Sequence, residues 1–263
     1  MTKTKPWWNG AVIYQLIPRS FSDGNGDGIG DLQGLTNRLS YLRWLGIDAI
    51  WLTPIYPSPL CDGGYDITDF KRIHPELGDL AAFHRFLAAA HGKGIKVVVD
   101  LVLNHTSNLH PWFQRARWAP QGSLERDVYV WSDDPHQYAD APVLFRNFES
   151  SNWQWDEVAG QYYLHRFLHH QPDLNYENPW VQEQMLEVLD FWLGKGVDGF
   201  RLDAVPFLFE REGTRCEGLP ETHAFLRKVR ERIEASGRDV LLLAEAIQPV
   251  QEAAPYLADD ELH

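Results

Sequence analysis

The stretch Ile95-Lys96-Val97-Val98-Val99-Asp100-Leu101-Val102 decides the fold. It is β-branched and apolar at odd and even positions alike, as a parallel strand buried on both faces must be. Gly94 precedes it and ends a helix that starts at the N-cap residue Asp79 and carries Leu80, Phe83 and Leu87. Upstream lies a strand from Asp48 to Leu52, ended by Pro54. Before that strand, Leu32, Leu35, Leu39, Leu42 and Leu45 form a helical stripe stopped by Gly46, and Val12 to Ile17 reads as a further buried strand.

The same alternation returns downstream. A helix is expected from about Trp180 to Gly194, a strand from Gly199 to Asp203, a helix from about Pro220 to Ala235 and a strand from Val240 to Glu245. Strand, helix and strand joined by short links specify a parallel sheet. The expected fold is therefore α/β, an incomplete (β/α)8 TIM barrel with about five of its eight strands. A doubly wound sheet is the rival, but no Gly-rich phosphate loop follows the first strand.

Between Asn104 and Pro172 the rhythm breaks into a stretch rich in Trp, Tyr, His, Pro and Asn. It holds strand-like pieces at Asp127 to Trp131 and Gln161 to Leu164, and it is too long for a loop. The chain then divides into 1–103, the first part of the barrel; 104–172, a subdomain inserted after the third strand; and 173–263, the continuation of the barrel.

A formal charge of −13 with no block of Lys or Arg argues against a nucleic-acid surface. Eleven Trp and ten Tyr suit either a core or a carbohydrate site, where flat rings meet the apolar faces of sugars. Cys61 and Cys216 have no metal or redox spacing, and the first ten residues contain no apolar segment of a secretory signal. No run is long enough to span a membrane. A reduced, cytoplasmic setting is the expectation.

Catalytic groups of a βα barrel sit at the C-terminal ends of its strands. Those ends carry Asp100, Asn104 and His105 on the third strand, Arg201 and Asp203 on the fourth, and Glu245 on the fifth. A single histidine or capping acid is usually structural. Acids at three strand ends are not explained that way, because a buried carboxylate is costly. Two of them on neighbouring strands could supply the nucleophile and proton donor of a glycosidic-bond enzyme.

The runs Asp100-Leu101-Val102-Leu103-Asn104-His105, Gly199-Phe200-Arg201-Leu202-Asp203 and Leu243-Ala244-Glu245 resemble three of the four core motifs of the α-amylase superfamily, glycoside hydrolase family 13. Gln171-Pro172-Asp173-Leu174-Asn175 resembles an additional motif of its α-glucosidase-like members. The resemblance implies Asp203 as the nucleophile and Glu245 as the acid/base of a retaining double displacement. It implies that Arg201 orients Asp203, that His105, Tyr65 and Asp66 bind the glucose, and that Asp100 and Asn104 support the architecture.

Phe209 to Thr214, Cys216-Glu217 and Leu219 to His223 resemble the loop after the fourth strand in the trehalose synthases, the branch that interconverts maltose and trehalose. Ile13 to Phe21 is more similar to the oligosaccharide α-glucosidases, and Ala246-Ile247-Gln248-Pro249 departs from the run that follows the acid in the trehalose synthases. The implied substrates are maltose, trehalose or short α-glucosides. A hydrolytic α-glucosidase or oligo-1,6-glucosidase is the alternative.

Asp23-Gly24-Asn25-Gly26-Asp27-Gly28-Ile29-Gly30-Asp31 alternates hard oxygen donors, as a Ca²⁺ loop does. It resembles the start of an EF-hand, although position twelve is Gly34. In the family's α-glucosidases such a loop implies a structural Ca²⁺ held by Asp23, Asn25, Asp27, the Ile29 carbonyl and Asp31. No organic cofactor is expected.

The family's fourth motif, an Asn-His-Asp run, has no counterpart in these residues. The expectation is an N-terminal catalytic portion that depends on a missing C-terminal half and has little turnover alone. A catalytically inactive truncated remnant is the reading of another class.

Overall fold

The computed structural model describes residues 5–258 and 260–263. Its strands are β1 (Ile13–Leu16), β2 (Ala49–Leu52), β3 (Lys96–Val102), β4 (Trp131–Ser132), β5 (Trp153–Asp156), β6 (Gln161–Leu164), β7 (Gly199–Asp203) and β8 (Leu241–Ala244). Its helices are α1 (Pro18–Phe21), α2 (Leu32–Leu45), α3 (Leu80–Gly92), α4 (Pro111–Trp118), α5 (Pro179–Lys195), α6 (Pro220–Ala235) and α7 (Val250–Ala253). A single parallel sheet runs in the order β1-β2-β3-β7-β8. This is the α/β sheet expected of a partial barrel. The segment between β3 and β7 carries α4 and a separate antiparallel sheet, β4-β6-β5.

Local chemistry explains the boundaries. Asp31 caps α2 by accepting from the Gly34 amide, and Asp79 caps α3 by accepting from the Ala82 amide at 2.7 Å. α2 and α5 end on Gly46 and Gly196, both left-handed, where a side chain would be strained. The apolar helix faces pack on the sheet. Trp192 of α5 is fully buried between Tyr56 and Phe83, and its indole donates to the Phe70 carbonyl at 2.8 Å. Burying side chains of this size contributes about 1.5–3 kcal/mol each, and the partnered indole avoids the cost of an unmade hydrogen bond.

β7 is the central strand for function, and it is held at its base. Asp198, just before it, accepts from His91 Nε2 at 2.6 Å, Lys96 Nζ at 2.9 Å and the Val97 amide at 3.0 Å. Gly199 lets β7 fit between its neighbours. A Cβ there would lie 2.9 Å from Leu241 Cβ and 3.1 Å from Val98 Cγ2.

Two parts of the 104–172 stretch differ from expectation. Asp127 to Trp131 is not one strand: residues 126–128 form a 3-10 turn, Tyr129 makes a single bridge to Leu174, and only Trp131–Ser132 is paired as β4. The buried Arg126 causes this. It donates to the Ala119 carbonyl and lies over the Trp131 ring, whose indole returns a bond to the Arg126 carbonyl. Those side-chain bonds favour a turn over an extended ladder. α4 and β5 were not expected. α4 has only eight residues and starts at Pro111, with His110 Nδ1 accepting from the Trp112 amide.

Among the described residues no helix is long and apolar enough to cross a membrane. Both cysteines are free, Cys61 exposed and Cys216 buried.

Candidate active site

Strand register brings the predicted charges together. In parallel pairing, Asp100 lies opposite Arg201 and Val102 opposite Asp203. Leu202 lies opposite Ala244, and the Glu245 amide extends that ladder to the Leu202 carbonyl at 3.0 Å. Residues two apart on a strand share a face. Asp100 and Arg201 therefore sit on one face of the sheet, with Asp203 and Glu245 one step further along it.

Arg201 is the hub. Its Nη1 donates to Asp100 Oδ1 at 2.7 Å and to Asp203 Oδ1, and its Nη2 meets Glu245 Oε1 at 2.7 Å. The guanidinium lies over the rings of Trp51 and Tyr65. Asp100 is held from the other side by the Trp51 indole at 2.9 Å and the Tyr65 hydroxyl at 3.0 Å, both on Oδ2.

One guanidinium thus serves three carboxylates, and the electrostatics follow from that count. Burial works against the charged form of Arg201, but Asp100 and then Asp203 override it and hold its pKa above the ordinary arginine value. For Asp203, burial is the largest influence and pushes the carboxyl well above its usual range; Arg201 opposes this, while Asp100 and Glu245 add to it. Burial raises Asp100 as well, against Arg201.

Directly after Asp203, Ala204 adopts a left-handed backbone with φ of 54°. That conformation is uncommon for a residue with a Cβ. It turns the Ala204 amide toward Glu245 Oε2, at 3.2 Å. The two acids differ in access: the Asp203 side chain is 8% exposed and that of Glu245 30%.

His105 is buried with its Nε2 3.1 Å from Gln171 Nε2, and its ring packs on Phe167. Burial pushes the His105 pKa down to about 3, so the ring is neutral. Gln171 also donates to Asp62 at 2.8 Å. Asn104 donates to Asp173 Oδ1 at 2.9 Å, joining the end of β3 to the segment before α5. Burial raises the Asp173 carboxyl well above its usual range, although the Arg166 amide opposes it. Asp66 is fully buried and accepts from Ser58 Oγ, the Cys61 amide and the Asp62 amide.

Structure therefore brings Asp100, Arg201, Asp203, Glu245 and Tyr65 into one cluster, and ties His105 and Asn104 to residues of the motif at Gln171 to Asn175. Trp51, Tyr56, Asp62 and Phe167 belong to the same surroundings and were not singled out in the sequence. Trp51 had a usable signal, since it sits near the C-terminal end of β2. Asp62 and Phe167 lie in irregular segments where periodicity carries no information.

The Asp23–Asp31 loop lies apart, between α1 and α2. Asp23 accepts from the amides of Asn25, Gly26 and Gly28, and these bonds, that to Gly28 foremost, lower its pKa. Asn25 accepts from the Asp27 amide, and Asp27 from the Ile29 amide. Gly26 and Gly28 have φ of 85° and 90°, which such tight turns require. Asp31 is turned toward the Gly34 and Gly24 amides. The donor set is all hard oxygen, as Ca²⁺ needs; Asp23 Oδ2 and Asp27 Oδ1 each accept one amide bond and keep a lone pair, whereas Asp23 Oδ1 already accepts two.

The sheet with acids at three successive strand ends around one arginine is that of an α-amylase catalytic domain, and the chain belongs to that family: residues 15–263 match "Alpha amylase, catalytic domain". It is 54% identical over 262 residues to the trehalose synthase/amylase TreS of Mycobacterium tuberculosis, covering 98% of this chain and 43% of that protein. It is 45% identical over 220 residues to the oligo-1,6-glucosidase of Halalkalibacterium halodurans, covering 82% of this chain and 37% of the relative. Among solved structures, a variant of trehalulose synthase MutB superposes with a TM-score of 0.90 at 38% identity, over 98% of this chain and 49% of that one. The chain spans less than half the length of each.

Proposed function

We propose that this chain supplies the nucleophile and the acid/base of a retaining α-glucosyl transfer between maltose and trehalose. The observation that carries the reading is the bridging of Asp203 and Glu245 by a single guanidinium, Arg201. The shared guanidinium makes the two carboxyls near neighbours, which supports a retaining pair, since such a pair works at a separation of about 5–5.5 Å. Asp203 attacks the anomeric carbon while Glu245 gives its proton to the leaving oxygen. Glu245 then takes a proton from the acceptor hydroxyl, whose oxygen bonds to the anomeric carbon and displaces Asp203 as a carboxylate. The more exposed Glu245 suits a group that exchanges protons with incoming acceptors, and the buried Asp203 suits the nucleophile.

With Glu245 protonated for its role as acid, the ionised Asp100 and Asp203 still outnumber the single cation Arg201 and leave the cluster with a negative excess. An oxocarbenium-like transition state is positive at the anomeric centre, so that excess stabilises it. Neutral His105, with Tyr65 and Asp66, binds the glucose in this reading, and Asp100 and Asn104 fix the architecture. Residues 104–172 act as the subdomain that walls the site. The Asp23–Asp31 loop holds a structural Ca²⁺ through Asp23, Asn25, Asp27, the Ile29 carbonyl and Asp31. A C-terminal half completes the barrel.

The test is product analysis of the completed enzyme with maltose. Trehalose as the main product supports transfer, and glucose alone replaces it with hydrolysis. Asp203→Asn is expected to lower turnover by at least about a thousandfold. Retained turnover in that variant would remove Asp203 from the nucleophile's role.

A further inference from the structure

We propose a second cation site, selective for a thiophilic divalent ion such as Zn²⁺, formed by Cys61, Asp66 and His170. One donor atom from each of the three lies within 4.8 Å of the other two. The donors are a thiol, a carboxylate and an imidazole. No other part of the site described above needs this combination, and the Asp23–Asp31 loop has no sulfur or imidazole at all.

Three features of the local structure point toward a ligand. His170 Nε2 is buried and has no hydrogen-bond partner among the described residues, a costly state for a ring nitrogen. Asp66 accepts three hydrogen bonds, two on Oδ1 and one, from the Cys61 amide at 3.0 Å, on Oδ2. A carboxylate has about four lone-pair positions, so Oδ2 keeps one open. The two segments that carry the donors are also tied together. Gln171, next to His170, donates to Asp62, next to Cys61, at 2.8 Å.

The dimensions fit with a small adjustment. Zn–S of about 2.3 Å and Zn–N or Zn–O of about 2.0–2.2 Å give tetrahedral edges of about 3.3–3.8 Å. Closing a 4.8 Å separation to that edge needs a shift of up to about 1.5 Å. Cys61 is exposed, and rotation of its side chain adjusts the two separations that include its sulfur, while the half-buried His170 must move toward the buried Asp66. Three protein donors leave the fourth position to water. Thiolate and imidazole favour Zn²⁺ over Ca²⁺ and Mg²⁺. Binding converts the Cys61 thiol to a metal-bound thiolate and releases one proton.

The consequence for activity rests on the proposed role of Asp66 in binding glucose. An ion on Asp66 and a sugar hydroxyl on Asp66 exclude each other, so the cation is a competitive inhibitor.

Co²⁺ titrated into this chain tests the site directly, because a thiolate–Co²⁺ bond gives an ultraviolet charge-transfer band. The expected result is a band saturating at one equivalent, reversed by Zn²⁺ and insensitive to excess Ca²⁺. Cys61→Ser removes it, His170→Ala weakens binding by about tenfold or more, and Cys216→Ser leaves it unchanged. Far-UV circular dichroism checks that each variant is folded. Absence of the band, its survival in Cys61→Ser, or indifference to His170→Ala overturns the site. Maltose added to the Co²⁺-loaded chain separates the two claims: loss of the band supports competition at Asp66, and a persisting band overturns the inhibitory link while the metal site stands.

Discussion

Arg201 holds Glu245 across the β7–β8 interface, Nη2 to Oε1 at 2.7 Å, with the same guanidinium committed to Asp203 and Asp100. Removing one partner of a buried ion pair leaves the other uncompensated, at a cost of about 3–5 kcal/mol. Arg201→Ala is therefore expected to lower the unfolding free energy of this chain by that order at neutral pH, as read by urea denaturation. Asp100→Asn in the same background should recover part of the loss. Simple additivity of the two changes would mean that the pair is not coupled.

His105 gives a pH prediction with a defined sign. Its folded-state pKa, about 3, lies below the ordinary value of 6.5, so the unfolded chain binds the proton more readily. The stability it contributes is fully present above about pH 6.5 and is lost as pH falls toward 3, by up to about 1.4 kcal/mol per pH unit. His110, also near 3, and His165, near 4, act in the same direction. Buried Asp203 and Asp173 act in the opposite one, since their raised carboxyls favour the protonated fold. The clean observable is a difference: the stability gap between wild type and His105→Gln should shrink as pH falls through this window. A constant gap would mean that His105 is not held neutral by the fold.

Glycine substitutions should divide by the space around them. Gly199→Ala places a methyl 2.9 Å from Leu241 Cβ in a tightly packed sheet. Overpacking of this kind costs about 1–3 kcal/mol. Gly194 lies within α5 with nothing near its missing Cβ, and Gly194→Ala should stabilise by about 0.5–1 kcal/mol through helix propensity. Thermal unfolding midpoints moving in opposite directions would bear this out.

Calcium should raise the thermal midpoint of this chain in a saturable way. A ligand at a hundred times its Kd adds about 2.7 kcal/mol. Asp27→Ala should abolish the rise with little change in the metal-free midpoint, because Asp27 is exposed and bonds only within the loop. An equal rise in wild type and variant would place the ion elsewhere.

The sheet was legible from the sequence because its signals are local and strong. The β-branched run Val97-Val98-Val99 marks β3, and Asp79 and Gly46 mark helix ends through local backbone chemistry. The acids at the strand ends were legible for the same reason, as polar groups where apolar ones belong. What the sequence did not carry is partnership at long separation. Nothing in Trp51 announces that its indole reaches Asp100, 49 residues away. Nothing in Arg126 announces that it will replace a strand with a turn. The Cys61–Asp66–His170 cluster was equally invisible, since its members lie in two irregular segments joined through Asp62 and Gln171.

β7 is flanked by a polar contact at each end, Asp198 against His91 and Lys96 just below it and Asp203 against Arg201 above. A slide of one residue would turn Arg201 and Asp203 to the wrong face. A slide of two would restore the face but pull Asp198 off both His91 and Lys96 and leave Asp203 a step out of place. The strand is in effect a gauge with two end stops. Errors in assembling the bottom of the sheet are penalised in the same event that sets the height of the acid at the top.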